Sequence, residues 1–323
     1  MFGMMKKIAL AASLCVVGLP AGAASDYPSK PIKMYIGFSA GSATDIVGRV
    51  IADGLAKRLG QPVVVENKVG AGGSIAANDT VRAAPDGYTL LTVSSAIAVN
   101  PVVYKNAADV LSGLEPVALI GYLPTVLMAS SNLPVSSVKE FVDYAKKHPG
   151  VVNFGSSGVG GSTHMAMQAF SSVTGTNLVH IPYKGNGQAS SALLGNQIDA
   201  MMETLLLAAP VVQSKRAKGL AISGSERSSL MPDVPTFAEA GVPEYNRSLF
   251  FGVMAPAGTP QELVKKLNAE INAVMKDPEV RKRLTGAGGL TLKESSAQDF
   301  KNTLKDELVL WKKVGAEAGI QPQ

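Results

Sequence analysis

Ile32-Lys33-Met34-Tyr35-Ile36-Gly37-Phe38-Ser39-Ala40-Gly41-Ser42-Ala43-Thr44-Asp45 is the stretch whose reading decides the fold. A short apolar run gives way to a turn of small residues. Then Ile46, Val47, Val50, Ile51 and Leu59 recur at helical spacing until Gly60 stops the helix. Val63-Val64-Val65 reads as a buried strand, and Gly70-Ala71-Gly72-Gly73 leads into a second helix that ends at the turn Pro85-Asp86-Gly87. Tyr88 to Val93 is a third strand and closes in Ser94-Ser95. Strands that are apolar throughout and alternate with helices predict an α/β chain with a parallel sheet covered on both faces.

The same rhythm runs through the middle of the chain. Val117 to Gly121 and Val126 to Ala129 are strand segments, and Val138 to Lys147 is an amphipathic helix ended by His148-Pro149-Gly150. Val152-Asn153-Phe154 runs into Gly155-Ser156-Ser157-Gly158-Val159-Gly160-Gly161-Ser162, followed by a Met-rich helix. Val179 to Tyr183, Ile198 to Met202 and Leu220 to Ser223 are further strands. After an apolar strand near Leu249 to Met254 the chain is read as helical, over Glu262 to Met275, Pro278 to Leu284 and Ala297 to Ala316. With no strands of their own, those helices belong back on the first unit. That makes a discontinuous domain with crossings near 121–126 and 247–253.

The N-terminus predicts export. Lys6 and Lys7 precede an apolar run from Ile8 to Leu19, too short to span a bilayer, and Ala21-Gly22-Ala23 supplies small residues for a peptidase. The lone cysteine, Cys15, lies inside that run after Leu14, which does not suit a lipoprotein acceptor. The mature chain then has neither thiol nor disulfide and must rest on its apolar core. Of 30 basic and 25 acidic residues, removal of Lys6 and Lys7 leaves a net charge of +3. No basic cluster with stacking aromatics marks a nucleic-acid surface, and a mild positive balance suits an anionic small molecule.

Three strands end in Gly and Ser/Thr followed by helix, at 38–45, 94–96 and 155–163. In open parallel sheets, ligands lie beyond the carboxyl ends of strands, where helix N-termini present unpaired amides. Ser42 and Ser162 also read as plain N-caps, and only the recurrence of the pattern favours a site. Gly70-Ala71-Gly72-Gly73 fails the dinucleotide fingerprint because Ile75 occupies its last position. Gly155-Ser156-Ser157-Gly158-Val159 starts like a nucleophile elbow and fails at Val159. His148, His164 and His180 are scattered and read as structural, so no metal and no cofactor are expected. Glu203, at the end of an apolar strand, reads equally as a solvent cap or a ligand contact. A secreted serine hydrolase using a serine at 156–162 and an interaction protein with a degenerate cleft remain the alternatives.

A set of landmarks in order resembles one family. Y-P-S-K-P-I at 27–32 is followed by F-x-x-G-x-x-x-D at 38–45, G-Q-P-V-V-V-E-N at 60–67, G-A-G-G at 70–73 and P-D-G-Y-T-L-L at 85–91. N-F-G-S-S-G at 153–158, H-I-P-Y-K-G at 180–185, D-V-P-T at 233–236 and A-P-A-G-T-P at 255–260 continue it. The chain looks like a Bug-type extracytoplasmic solute receptor, the substrate-binding component associated with tripartite tricarboxylate transporters.

The resemblance implies an α/β, two-lobed periplasmic binding protein of the type II kind. Each lobe would be a mainly parallel sheet flanked by helices, with a hinge between them. Residues 1–24 would be the signal peptide, 25–124 with 248–323 the first lobe, and 125–247 the second. It implies a monomer in the periplasm of a Gram-negative bacterium that binds a small carboxylate and delivers it to permease subunits or a sensor kinase. Ligand contacts map onto Phe38, Ser39, Gly41, Ser42, Ala43, Thr44 and Asp45, onto Ser94, Ser95 and Ala96, and onto Gly160, Gly161, Ser162 and Thr163. Tyr183 begins the Y-K-G turn. Glu203 stands where many relatives have Asp, Phe250 where many have Trp, and Gly41-Ser42 replaces the usual glycine pair.

Overall fold

The structure, a computed structural model, describes residues 27–286, 289–317 and 319–322; the expected signal peptide lies outside them. In chain order the elements are β1 (Ile32–Ile36), α1 (Ala43–Leu59), β2 (Val63–Asn67), α2 (Ser74–Val81), β3 (Thr89–Ser94), α3 (Ala96–Val103), α4 (Val110–Gly113) and β4 (Leu114–Leu123). Then come β5 (Thr125–Ser130), α5 (Val138–Lys147), β6 (Asn153–Ser156), α6 (Ser162–Thr174), β7 (Val179–Pro182), α7 (Asn186–Leu194), β8 (Ala200–Thr204), α8 (Leu205–Gln213) and β9 (Ala217–Ile222). The chain closes with β10 (Leu249–Pro256), α9 (Gln261–Lys276), α10 (Pro278–Arg281), β11 (Thr291–Leu292) and α11 (Ala297–Glu317).

Two sheets form. One has the order β11-β4-β10-β3-β1-β2 and the other β7-β6-β8-β5-β9. The chain passes from the first to the second at Pro124, between β4 and β5, and returns between β9 and β10. Hydrogen bonds tie the crossings together. Ser223 Oγ accepts from the Thr125 amide at 2.8 Å and lies 3.1 Å from Ser248 Oγ, while Thr125 Oγ1 donates to the Arg247 carbonyl at 2.9 Å.

The expectation of mainly parallel sheets is corrected. β1 runs parallel to β2 and β3, and β6 parallel to β7 and β8. β10, however, pairs antiparallel with both β3 and β4, and β5 antiparallel with both β8 and β9. The cause is the double crossing: β5 and β10, by which the chain enters a lobe from the other, run against the strands on either side of them. The short β11, antiparallel to β4, had no sequence signal because only Thr291 and Leu292 form it.

Packing follows the apolar pattern. Ile32, Met34 and Ile36 of β1 and Leu90, Leu91 and Val93 of β3 are buried, under α1 on one face and α2 and α3 on the other. Helix α1 starts at Ser42, whose side chain accepts from the Asp45 amide, and stops at Gly60 in the left-handed region. Helix α9 lies so close to α1 that a Cβ on Gly54 would come within 2.4 Å of Val274. Helix α11 starts on the first sheet, where Phe300 and Leu304 join its core, and ends with Trp311 and Val314 in the cluster that contains Phe141 and Phe170 of the second lobe. It bridges the lobes.

Phe250 belongs to this packing. It is fully buried, with its ring 5.8 Å from that of Phe300 in an edge-to-face pair. Phe250→Ala should therefore destabilise the protein by about 3–5 kcal/mol, seen as a lower urea midpoint, and leave ligand affinity of the folded fraction within about twofold. A large affinity loss without destabilisation would return Phe250 to the site.

Candidate functional site

A cavity of about 370 Å³ lies between the two sheets' carboxyl ends, lined from both lobes. Its walls are formed by residues 37–39 and 42–44, the 69–72 loop, Ser94, Tyr104, residues 157–159 with Ser162 and Thr163, the 183–186 turn, Thr204, Leu207, Leu249 and Phe251. Helices α1, α6, α7 and α8 all begin at this wall. A helix cannot bond its own first-turn amides internally. At α1 the Asp45 amide is satisfied by Ser42 Oγ at 3.2 Å and the Ile46 amide by the Ser42 carbonyl, which leaves Ala43 and Thr44 facing the cavity. At α6, Met165 takes the Gly161 carbonyl, and the Ser162 and Thr163 amides remain. Aligned peptide dipoles add a partial positive charge at each end. Among the described residues no Asp or Glu lines the cavity, and Lys184 is the one charged lining residue.

The lobes touch around this space. Ser94 Oγ lies 3.4 Å from Ser162 Oγ, and Tyr104 donates its hydroxyl to the Val159 carbonyl. Gly72, at φ 60°, is another close point: a Cβ there would meet Asn100 Oδ1 at 2.8 Å and the Gly160 carbonyl at 3.5 Å. The turn read from sequence as purely structural thus forms part of the wall.

The residues expected at the site fall into two groups. Phe38, Ser39, Ser42, Ala43, Thr44, Ser94, Ser162, Thr163 and Tyr183 line the cavity. Gly41, Asp45, Ser95, Ala96, Gly160, Gly161, Glu203 and Phe250 are not part of its wall. Most of these brace it. Asp45 is buried and accepts from the Gly41 amide at 3.0 Å, from Arg49 and from Asn67. Burial alone would raise its pKa, but those donors hold the carboxyl below the usual range. Asp45 therefore fixes the 38–45 turn. Ser95 Oγ accepts from the Phe250 amide at 2.8 Å and joins β3 to β10, while Ala96 is buried at the start of α3. Gly161 caps α6, and the Gly160 amide donates to His164 Nδ1 at 3.3 Å.

Glu203 stands one step behind the wall. It is buried, and its Oε1 accepts from Asn186 Nδ2 at 2.8 Å, the Thr204 amide at 2.6 Å and Thr204 Oγ1 at 3.0 Å. Asn186 in turn accepts from Thr163 Oγ1 at 3.0 Å. Burial pushes the Glu203 carboxyl up to about 7, against the pull of these donors, and Oε2 has no partner. The hydroxyl of Thr163 is committed by this chain, so Thr163 offers the cavity its amide.

Sequence reasoning missed Asn186, Lys184, Tyr104, Leu207, Leu249 and Phe251 on the wall. One signal was available for β10: period-two alternation puts Leu249 and Phe251 on the face opposite Phe250.

Ser156 Oγ lies 2.7 Å from His180 Nε2, but Ser156 is fully buried and outside the cavity wall. Ser157 does line the wall and shares a 3.3 Å contact with Thr163 Oγ1. Among the described residues no carboxylate hydrogen-bonds to either histidine ring. His164 and His180 stack at 3.9 Å beneath the 156–163 loop, and burial lowers them to about 3 and about 4. Among the described residues no group of His, Cys, Asp and Glu could hold a metal ion, and no helix is long and apolar enough to cross a membrane.

A two-lobed α/β fold with a cavity of helix N-termini between its lobes defines the class of periplasmic solute-binding proteins. The model of the tripartite tricarboxylate transporter family receptor matches residues 47–320, and the chain belongs to that family. Protein BugT of Bordetella pertussis is 36% identical over 316 residues, covering 95% of each chain. A Rhodopseudomonas palustris protein solved with adipate superposes with a TM-score of 0.86 at 31% identity, covering 92% of this chain and 100% of that one. MatC from Rhodopseudomonas palustris, with bound malate, gives 0.82 at 32% identity and covers 90% of this chain and 100% of that one.

The histidine pair makes a pH prediction. Both folded values lie below the usual 6.5. The stability they provide is complete above that pH and is lost as pH falls toward about 4 and then about 3. Glu203 acts in the opposite sense, favouring the fold at acidic pH and losing that effect as pH rises from 4.5 through about 7. Urea midpoints measured from pH 7 down to 4 should fall less steeply for His180→Phe than for the unaltered chain. Parallel curves would show that other groups control acid stability.

Proposed function

We propose that this receptor is exported to the periplasm and captures a small carboxylate in the cavity between its lobes. The carboxylate accepts hydrogen bonds from the Ala43 and Thr44 amides on one lobe and the Ser162 and Thr163 amides on the other. The Ser39, Ser42 and Ser162 hydroxyls add to the set. Bridging the lobes favours the closed form, and closure excludes water and strengthens each bond. The closed protein then delivers its ligand to a membrane transporter of the tripartite tricarboxylate type, or signals to a sensor's extracytoplasmic domain. It works as a monomer and transforms nothing.

The observation that carries this reading is a wall that, among the described residues, has several unpaired amides, one lysine and no acidic group. Such a wall favours anions over neutral or cationic solutes. The relatives solved with adipate and with malate support the same solute class. The hydrolase reading finds no support in the Ser156–His180 contact, because that serine has no access to the cavity.

Thermal unfolding with a panel of mono- and dicarboxylates tests the proposal. A ligand at 100 times its Kd adds about 2.7 kcal/mol, and at least one member should raise the melting temperature. Ser42→Phe, which fills the mouth of the α1 turn, should abolish that rise while the free protein still melts cooperatively. Silence across the panel, or an unchanged response from Ser42→Phe, contradicts it.

A further inference from the structure

The polar groups are not spread evenly around the cavity. The starts of α1 and α6 both line it, and Ser94, at the end of β3, approaches Ser162. Toward the hinge the wall turns apolar. Leu249 and Phe251 project from β10, and Leu207 from the first turn of α8. In the sheet, Leu249 pairs with Leu123 and Phe251 with Gly121 and Ser94, so both sit beside the crossing at Pro124. Leu249 and Phe251 are buried. Of the lining hydroxyls beside this end, Thr204 Oγ1 is engaged by Glu203 Oε1 at 3.0 Å, and Ser94 Oγ lies 3.4 Å from Ser162 Oγ.

The one lining cation among the described residues is elsewhere. Lys184 follows β7, an edge strand separated from the hinge strand β5 by β6 and β8. Three strand spacings put roughly 14 Å between the β7 and β5 ends. Its side chain is exposed at the cavity mouth. A carboxylate seated on the α1 and α6 amides thus has an apolar compartment on its hinge side. A second carboxylate pushed there would lose its water against apolar side chains with no counter-ion in reach. An alkyl or aryl group would gain from leaving water.

We propose that this chain selects monocarboxylates with an apolar body, the body seated against Leu207, Leu249 and Phe251. This rests on the carboxylate-receptor reading above and names the ligand class within it.

Calorimetry on the full chain with hexanoate and adipate separates one carboxylate from two on the same six-carbon frame. Hexanoate is expected to bind at least about tenfold more tightly, a step of about 1.4 kcal/mol. Leu207→Arg, which sets a cation at the hinge end, should shift the preference toward adipate. Adipate binding as tightly as hexanoate to the unaltered chain overturns the inference and leaves the carboxylate receptor standing. Binding of neither acid, together with a silent carboxylate panel, overturns both. A folded Leu207→Arg protein whose preference does not move overturns the placement of the apolar body. Should that variant fail to fold, the comparison on the unaltered chain still decides the ligand class.

Discussion

The amides of a helix's first turn have no acceptor in their own helix, and this fold points several sets of them into one enclosed space. Everything else about the molecule supports that arrangement. Parallel βαβ units place helix starts beyond the carboxyl ends of strands. Two such lobes, face to face, bring α1 together with α6, α7 and α8. Among the described residues the wall between them contains no carboxylate, so none of these neutralises the positive ends of the helices from within. Asp45 is the instructive exception. It is close by in sequence, yet its charge is consumed by Arg49, Asn67 and the Gly41 amide, and it shapes the turn without meeting the cavity.

The connection between the lobes decides how that wall can open. The chain crosses at Pro124 and again before β10, and the crossings are bonded to each other through Thr125, Ser223 and Ser248. Helix α11 adds a brace, with Phe300 in one core and Trp311 in the other. Away from the hinge the side-chain hydrogen bonds across the cleft are the Tyr104 hydroxyl on the Val159 carbonyl and a serine pair at 3.4 Å, beside Val99 and Val103 of α3, which pack in the second lobe's apolar cluster. A ligand that bonds both lobes would add to these contacts and shift the equilibrium toward closure by its differential affinity. The relatives solved with adipate and malate hold two carboxylates. The apolar hinge end formed by Leu207, Leu249 and Phe251 suggests how this member divides from them within a shared frame.

Much of this was legible in the sequence because the relevant signals are local. The run from Ile32 to Asp45 contains a strand, a turn and a helix cap, and each follows from residue type and spacing. The recurrence of Gly and Ser/Thr after strands marked the 38–44, 94 and 162–163 segments that the structure brings to one wall. What was not legible depends on pairing over distance. Strand direction was misread for β5 and β10, since an apolar strand looks the same run either way. Phe250 was assigned to the cavity by position in a motif, although side chains alternate along a strand and its neighbours Leu249 and Phe251 face inward. Asn186 and Glu203 show a further limit. Their link to Thr163 joins α6, α7 and β8, and no spacing in the chain encodes it.

In the proposed binding mode, main-chain amides at the starts of α1 and α6 hold the ligand's carboxylate. Residue-resolved amide hydrogen exchange, with and without a saturating carboxylate, tests it most directly. Ala43, Thr44, Ser162 and Thr163 should gain protection on binding. A carboxylate that binds while those amides exchange as before would contradict it.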